Sequence, residues 1–392
     1  MIVRTFNERA TALAFPLGGV GTGNVSLGAR GELRDWEIFN RPAKGALLPN
    51  TFFAIRAQAG DSQPVARVLE APIQPPYTLS HGFHPITAAG LPRMAGATFR
   101  GEYPFATIEF HAPDLPVHIS LEAYTPLLPL DPAASGIPGA VLAYTVTNTA
   151  DAPVKLTLVG SLFNPVGGLA LDPYGNLAAG GVGQNVNELR DEAGLRGLLL
   201  RSEQFGPNDL QFGELALATD HPNITAKRAW LRGAWYDFLR EFWDDLTDDG
   251  LLTDLGYDTP SEAGKTDTGS LGLVATLAPG ESTTLRFFLT WYFPNRPNSW
   301  NVRKPAPTVR NHYATRFDGA WAVARELAGK REYLEAATRQ FHNSLFSSTL
   351  PPAVLDAVSA NIVPIRSTTC FWLEDGRFFG YEGCFDDAGC CD

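Results

Sequence analysis

The chain has 392 residues, 44% of them hydrophobic and 19% charged, and a net charge of −11. That is too long for one small domain and too apolar for a disordered segment, so one large domain and a second, smaller or incomplete one are expected. The acidic balance comes without basic clusters, which argues against nucleic acid or an anionic membrane surface as partner and suits a neutral ligand.

The N-terminal stretch MIVRTFNERATALAFPLGG carries Glu8 and polar residues where a secretory signal needs an unbroken apolar run. No apolar run approaches the ~20 residues that span a bilayer, so no transmembrane segment is expected and the protein reads as cytoplasmic. The glycine cluster FPLGGVGTGNVSLGARGELRDWEIFNRP follows. A dinucleotide fingerprint fails here: after Gly19-Val20-Gly21 the third position is Asn24, no β-branched strand precedes it, and Val25 to Leu33 looks like strand and turn. The glycines read as tight turns, and no cofactor is expected.

From about residue 50 to 295, short alternating strands are separated by Pro, Gly, Asn and Asp. In AVLAYTVTNTADAPVKLTLVGSL, Leu142, Tyr144 and Val146 alternate with polar or small neighbours, Asn148 to Pro153 turns the chain, and Val154, Leu156 and Leu158 resume the alternation. The pattern predicts a hairpin with one buried face. FATIEFHAPDLPVHISLEAY and LGLVATLAPGESTTLRFFLTWYF repeat the design, the latter turning at Pro279-Gly280. Many hairpins without helical crossovers predict a two-sheet antiparallel sandwich. One segment differs: RAWLRGAWYDFLREFWDDL sets Leu231, Trp235, Phe238, Leu239, Phe242 and Leu246 at helical spacing as a core-facing stripe, with Asp248-Asp249-Gly250 as a turn.

After FPNRPNSWN the period changes from two to 3.6. Tyr313, Phe317, Trp321, Ala324 and Leu327, then Leu334, Ala337, Phe341 and Leu345, line one face of amphipathic helices, and Pro351 and Pro352 suit the first turn of a third. Strand pairing is expected to end near residue 295, to be absent past Asn311, and to give way to helices between 300 and 315. The domains are set at 1–300, a β-sandwich, and 301–392, the start of a helical domain. Two or three helices cannot close a core of their own. Their stripe would stay exposed, and the last ninety residues poorly stable, unless the helices dock on the sandwich.

The tail GYEGCFDDAGCCD holds three of the four cysteines, Cys384, Cys390 and Cys391. With Cys370 they make no paired CxxC arrangement and have no histidine nearby, so packing is the default and a structural zinc site the alternative; no metal is assigned. Glu382, between Tyr381 and Gly383 and behind Phe378-Phe379, has surroundings in which an enzyme tunes a carboxylate, against the plainer reading of a solvated loop.

Three segments then converge: the glycine cluster; WYFPNRPNSWN with NHYATRFDGAWAVA; and LPPAVLDAVSANIVPIRSTTCFWLEDGRFFGYEGC. Together, in order, they resemble glycoside hydrolase family 116, the bacterial and archaeal β-glucosidases related to the non-lysosomal glucosylceramidase. The resemblance implies an N-terminal sandwich followed by an (α/α)6 catalytic barrel, and hydrolysis of β-glucosides, or in some members xylosides, with retention. It also implies that Glu382, following Asp375-Gly376-Arg377 within Tyr381-Glu382-Gly383, is the nucleophile. In the family the acid/base is an aspartate well over a hundred residues downstream. The chain is therefore expected to be an N-terminal portion with an incomplete barrel, inactive by itself, whose parent takes a β-glucoside small molecule or oligosaccharide. Two other classes stay open: a non-catalytic carbohydrate-binding sandwich, and another sandwich plus (α/α)6 enzyme such as an inverting hydrolase or a glycoside phosphorylase.

Overall fold

The computed structural model describes residues 4–75, 87–168, 181–233, 235, 237–298 and 307–380. Its strands in chain order are β1 (Arg4–Asn7), β2 (Phe15–Leu17), β3 (Asn24–Leu27), β4 (Leu33–Glu37), β5 (Phe52–Ala59), β6 (Val65–Val68), β7 (Gly96–Glu102), β8 (Phe105–His111), β9 (Val117–Tyr124), β10 (Gly139–Asn148) and β11 (Val154–Phe163). They continue as β12 (Asn185–Glu192), β13 (Leu195–Ser202), β14 (Glu214–Thr219), β15 (Ile224–Lys227), β16 (Thr268–Leu277), β17 (Ser282–Tyr292), β18 (Asn295–Pro297), β19 (Thr308–Arg310), β20 (Cys370–Trp372) and β21 (Phe378–Gly380). The helices are α1 (Pro132–Ser135), α2 (Asp237–Asp249), α3 (Ala320–Gly329), α4 (Arg331–Phe346) and α5 (Pro352–Ile362).

Alternation along the long strands puts one apolar row of each sheet into a shared interior. Nine strands pair in the order β1-β7-β8-β9-β10-β17-β14-β13-β12, and five in the order β15-β16-β11-β5-β6. Leu142, Tyr144, Leu285 and Phe287 from the larger sheet meet Phe53, Ile55, Leu156 and Leu271 from the smaller. The Phe53 ring lies 5.4 Å from Tyr144 and 5.1 Å from Phe287. The protein is thus mainly β, with antiparallel sheets and few helices.

Two of the three predicted hairpins are corrected. β8 and β9 do pair with each other, Ala106 opposite Ala123. But β10 pairs with β9 and β17, whereas β11 pairs with β16 and β5. The turn at Asn148 to Pro153 therefore arches from one sheet to the other, and Pro279-Gly280 does the same between β16 and β17. Period-two alternation says which side of a strand is buried, not whether its successor lies beside it or across the core.

The outer faces are covered too. On the smaller sheet, Phe242 and Leu246 of α2 pack with Trp230, Phe52 and Val159, and Trp230 stacks on Phe242 at 4.3 Å. The predicted stripe starts late, because Trp235 precedes the helix and is 85% exposed. Asp248 and Asp249 still belong to α2, and Gly250, at φ +88°, ends it.

On the larger sheet, Tyr313, Phe317, Trp321, Ala324 and Leu327 all bury against Leu195, Leu199, Ala216, Phe288 and Tyr292. The stripe therefore docks on the sandwich instead of standing exposed. It is not one helix: a 3-10 turn at His312–Thr315 is separated from α3 by Gly319. Glu214 of β14 reaches across to accept the Ala320 N–H at 2.9 Å, capping α3, and a Cβ on Gly319 would sit 2.5 Å from that same oxygen. Along α4 the most buried residues are Leu334, Thr338 and Phe346 rather than the expected Ala337, Phe341 and Leu345. α5 begins at Pro352 as expected. Strand pairing does continue past residue 295 and past Asn311, in β18 with β19 and in a hairpin of β20 with β21. These strands are three residues each, too short for an alternating pattern to register.

Candidate functional site: the hairpin leading to Glu382

The glycine-rich loop joins β2 to β3. Gly21 and Gly23 have φ of +70° and +75°, where a Cβ is strained. Thr22 staples the loop: its hydroxyl accepts from Gly19 N at 2.9 Å and lies 3.0 Å from the carbonyl oxygens of Gly19 and Gly23. Trp291 Nε1 donates to Thr22 O at 2.8 Å, and Val20 N donates to Ser135 O at 2.8 Å, fixing the loop to β17 and α1.

Beside it the chain leaving β17 is held by side-chain amides. Asn40 Nδ2 donates to the carbonyls of Phe293 and Asn295 at 3.0 and 2.9 Å. Asn311 Nδ2 lies 2.6 Å from Asn40 Oδ1 and 2.9 Å from Phe293 O. The Tyr313 hydroxyl donates to Phe293 O at 2.6 Å and faces Phe293 N at 2.9 Å. Burial pushes that phenol well above its ordinary pKa, so it stays a neutral hydroxyl.

The C-terminal hairpin lands on this framework. The Arg366 guanidinium, 1% exposed, donates to Tyr103 Oη and Thr125 O at 3.2 Å each, to Ser135 O at 3.4 Å, and to Pro126 O. Phe371 lies under Arg296, whose guanidinium carbon is 3.3 Å from the ring centre. Leu373, 1% exposed, bridges to Asn311, and Glu374 N donates to Arg310 O at 2.9 Å. Trp372 stacks on His312 with ring centres 3.6 Å apart and planes 3° from parallel. Burial, helped by Arg316, lowers the His312 pKa, and its Nδ1 is buried with no hydrogen-bond partner among the described residues. A Cβ on Gly21 would lie 2.6 Å from Trp372 Cβ, and one on Gly136 would lie 3.2 Å from its Cζ3.

Past Leu373 the hairpin is largely exposed. Gly376, at φ +87°, makes the turn, and Asp375 pairs with Arg377, which holds its carboxyl below the usual range. Cys370 donates to Pro364 O at 3.4 Å, and burial pushes its thiol up, the opposite of a reactive or metal-binding cysteine. Among the described residues no group of three or more His, Cys, Asp or Glu could hold a metal ion. Glu382 lies outside the described residues, as do Cys384, Cys390 and Cys391; the last described residue, Gly380, pairs with Cys370.

The family model described as beta-glucosidase 2, glycosyl-hydrolase family 116 N-terminal, matches residues 14–334, over four-fifths of the chain. The chain belongs to glycosyl-hydrolase family 116. The match takes in the glycine loop, both sheets except for β1, and α3 of this family 116 chain, and stops at the start of α4. Similar solved structures include a family GH92 α-mannosidase from Bacteroides thetaiotaomicron, 9% identical, covering 95% of this chain and 42% of that one, with a TM-score of 0.38. A galactose mutarotase-like protein from Lactobacillus casei is 10% identical over 71% of this chain and 100% of that one, with a TM-score of 0.32. A polysaccharide lyase is 12% identical over 72% of this chain and 33% of that one, at 0.31. The family 116 chain thus spans about a third of the lyase and under half of the mannosidase, and likeness at these scores carries no argument about chemistry.

Reading the residues alone missed Arg366, His312 and Trp372. Arg366 stands isolated in an apolar helix end, and only the fold brings three carbonyls to it. The cluster's glycines make turns, as expected; that Gly21, together with Gly136 outside the cluster, also gives room to Trp372 has no local signal.

Proposed function

We propose that the protein belongs to a retaining glycoside hydrolase acting on β-glucosides, with Glu382 as nucleophile. The observation that carries the reading is the family 116 match, whose description is that of a β-glucosidase. The anchored hairpin supports it, because its final strand ends two residues before Glu382. In this mechanism the Glu382 carboxylate attacks the anomeric carbon while an acid, an aspartate downstream in the family's pattern, protonates the leaving oxygen. A glycosyl ester forms and the aglycone departs. Water, deprotonated by the same aspartate, then cleaves the ester and regenerates Glu382. The two carboxylates stand ~5.5 Å apart in such a site.

The proposal includes residues 1–300 as the sandwich domain, 301–392 as the start of an (α/α)6 catalytic domain, and a cytoplasmic location. Glucosylceramide-like and xyloside substrates fall within it. The test uses protein expressed from its complete reading frame and an activated 2-fluoro glucoside, with digestion and mass analysis to locate the label. Label on Glu382, and a loss of several orders of magnitude in turnover for Glu382→Gln with Asp386→Asn and Asp387→Asn far milder, is the expected result. Label elsewhere, or near-normal activity of Glu382→Gln, refutes the assignment; binding without hydrolysis points to a carbohydrate-binding sandwich instead.

A further inference from the structure

We infer that Trp372, seated in a slot formed by Gly21, Gly136 and His312, is a positioning residue that sets where the chain enters Glu382. The inference rests on the reading of Glu382 as nucleophile and deepens it. Its first support is how the hairpin is held. β20 and the Leu373 that follows it carry the contacts described above: Phe371 under Arg296, Leu373 bridged to Asn311, and Trp372 in its slot. β21 pairs with β20 along its whole length, Cys370 with Gly380, Phe371 with Phe379 and Trp372 with Phe378. Wherever Trp372 sits, Gly380 follows.

The second support is reach. A chain advances at most ~3.6 Å per residue, and only Tyr381 separates Gly380 from Glu382 in the sequence, so little chain is available to absorb a displacement of β20 before the nucleophile. A nucleophile working opposite a second carboxylate tolerates little error, since ~1 Å of misplacement can cost ~10²-fold in rate. The third is the slot itself. Gly21 has φ +70°, and its missing side chain leaves the space that Trp372 Cβ occupies; Gly136 leaves room for the far edge of the indole, and His312 closes one face at 3.6 Å. Three segments far apart in sequence give up side-chain volume or supply a flat ring for this one indole. The glycine cluster thereby gains a role beyond turning the chain.

The experiment compares Gly21→Ala, Trp372→Ala, Trp372→Phe and His312→Phe with the parent, in protein from the complete reading frame. Turnover is expressed per active site titrated with the 2-fluoro glucoside, so that misfolded molecules drop out. Gly21→Ala and Trp372→Ala are expected to lower kcat about 10²-fold with KM little changed. Trp372→Phe and His312→Phe, which keep a stacked ring, recover most of that loss. In the 392-residue chain, amide exchange at Phe378 to Gly380 speeds up in Gly21→Ala and Trp372→Ala while β8 and β9 are unaffected. Unchanged exchange overturns the slot. Faster exchange with unchanged kcat per titrated site overturns the positioning role and leaves the glycosidase reading standing. Label on a residue other than Glu382 refutes that reading, and the catalytic half of this inference with it, while the exchange result still judges the slot.

Discussion

Replacing Arg366 by Ala tests what holds the C-terminal segment to the sandwich. The guanidinium is buried and is shared by Thr125 O, Pro126 O, Ser135 O and the Tyr103 hydroxyl. Truncation strands three oxygens in a closed site, since Ser135 O keeps the Val20 N–H. At the low end of the cost of an unsatisfied buried group, about 1 kcal/mol each, they sum to about 3 kcal/mol. Two terms oppose this: the guanidinium no longer has to be desolvated, and water entering the hole satisfies some carbonyls, which leaves a net loss of about 1.5–3 kcal/mol. The loss falls on docking of residues 352–380, since Tyr103, Thr125, Pro126 and Ser135 all lie outside the paired strands. Native-state amide exchange is the assay. At about 1.4 kcal/mol per factor of ten, Cys370 and Leu373 should exchange roughly 10- to 150-fold faster in Arg366→Ala. Tyr144, in the centre of the larger sheet, should not change, and Arg366→Lys should fall between. A change under about five-fold at Leu373, or an equal change at Tyr144, would refute the reasoning.

Trp321→Ala should destabilise the docked helices by about 3–5 kcal/mol, measured by denaturant unfolding, because it empties a site 3% exposed and removes the bond from Nε1 to Glu192 at 2.9 Å. Glu214 provides a pH test. Burial raises its pKa above 4.5, opposed by the Ala320 N–H, Arg190 and Arg201 and reinforced by Asp318. A carboxyl whose folded pKa lies above its unfolded value contributes stability that is fully present below the unfolded pKa and lost as pH rises through the folded one. Relative to Glu214→Gln, which still caps α3, the parent should therefore gain stability as pH falls from neutral towards 4; a parent that loses ground over that range contradicts the sign.

How much of this was legible in the sequence depends on range. Period-two alternation marked Leu142, Tyr144, Val146, Val154, Leu156 and Leu158 as inward-facing, and all six are in the core between the sheets. Helical spacing picked out the face from Tyr313 to Leu327, and Pro352 marked a helix start, because spacing and φ restriction act within a turn or two of the residue that carries them. Which strand pairs with which was not legible: the turn after Asn148 has the same chemistry whether it folds back in its own sheet or arches to the other, and only the facing apolar row decides. Nor was the break at Gly319, where the helix is capped by a carboxylate from β14 more than a hundred residues away. The hairpin before Glu382 shows the division most sharply. Asp375, Gly376 and Arg377 form their turn from local chemistry, but the surface it rests on is assembled from Gly21, Gly136, Asn311, His312 and Arg366. Those residues meet only after two sheets have closed over a common core, so the contacts that fix the hairpin exist in the tertiary structure alone.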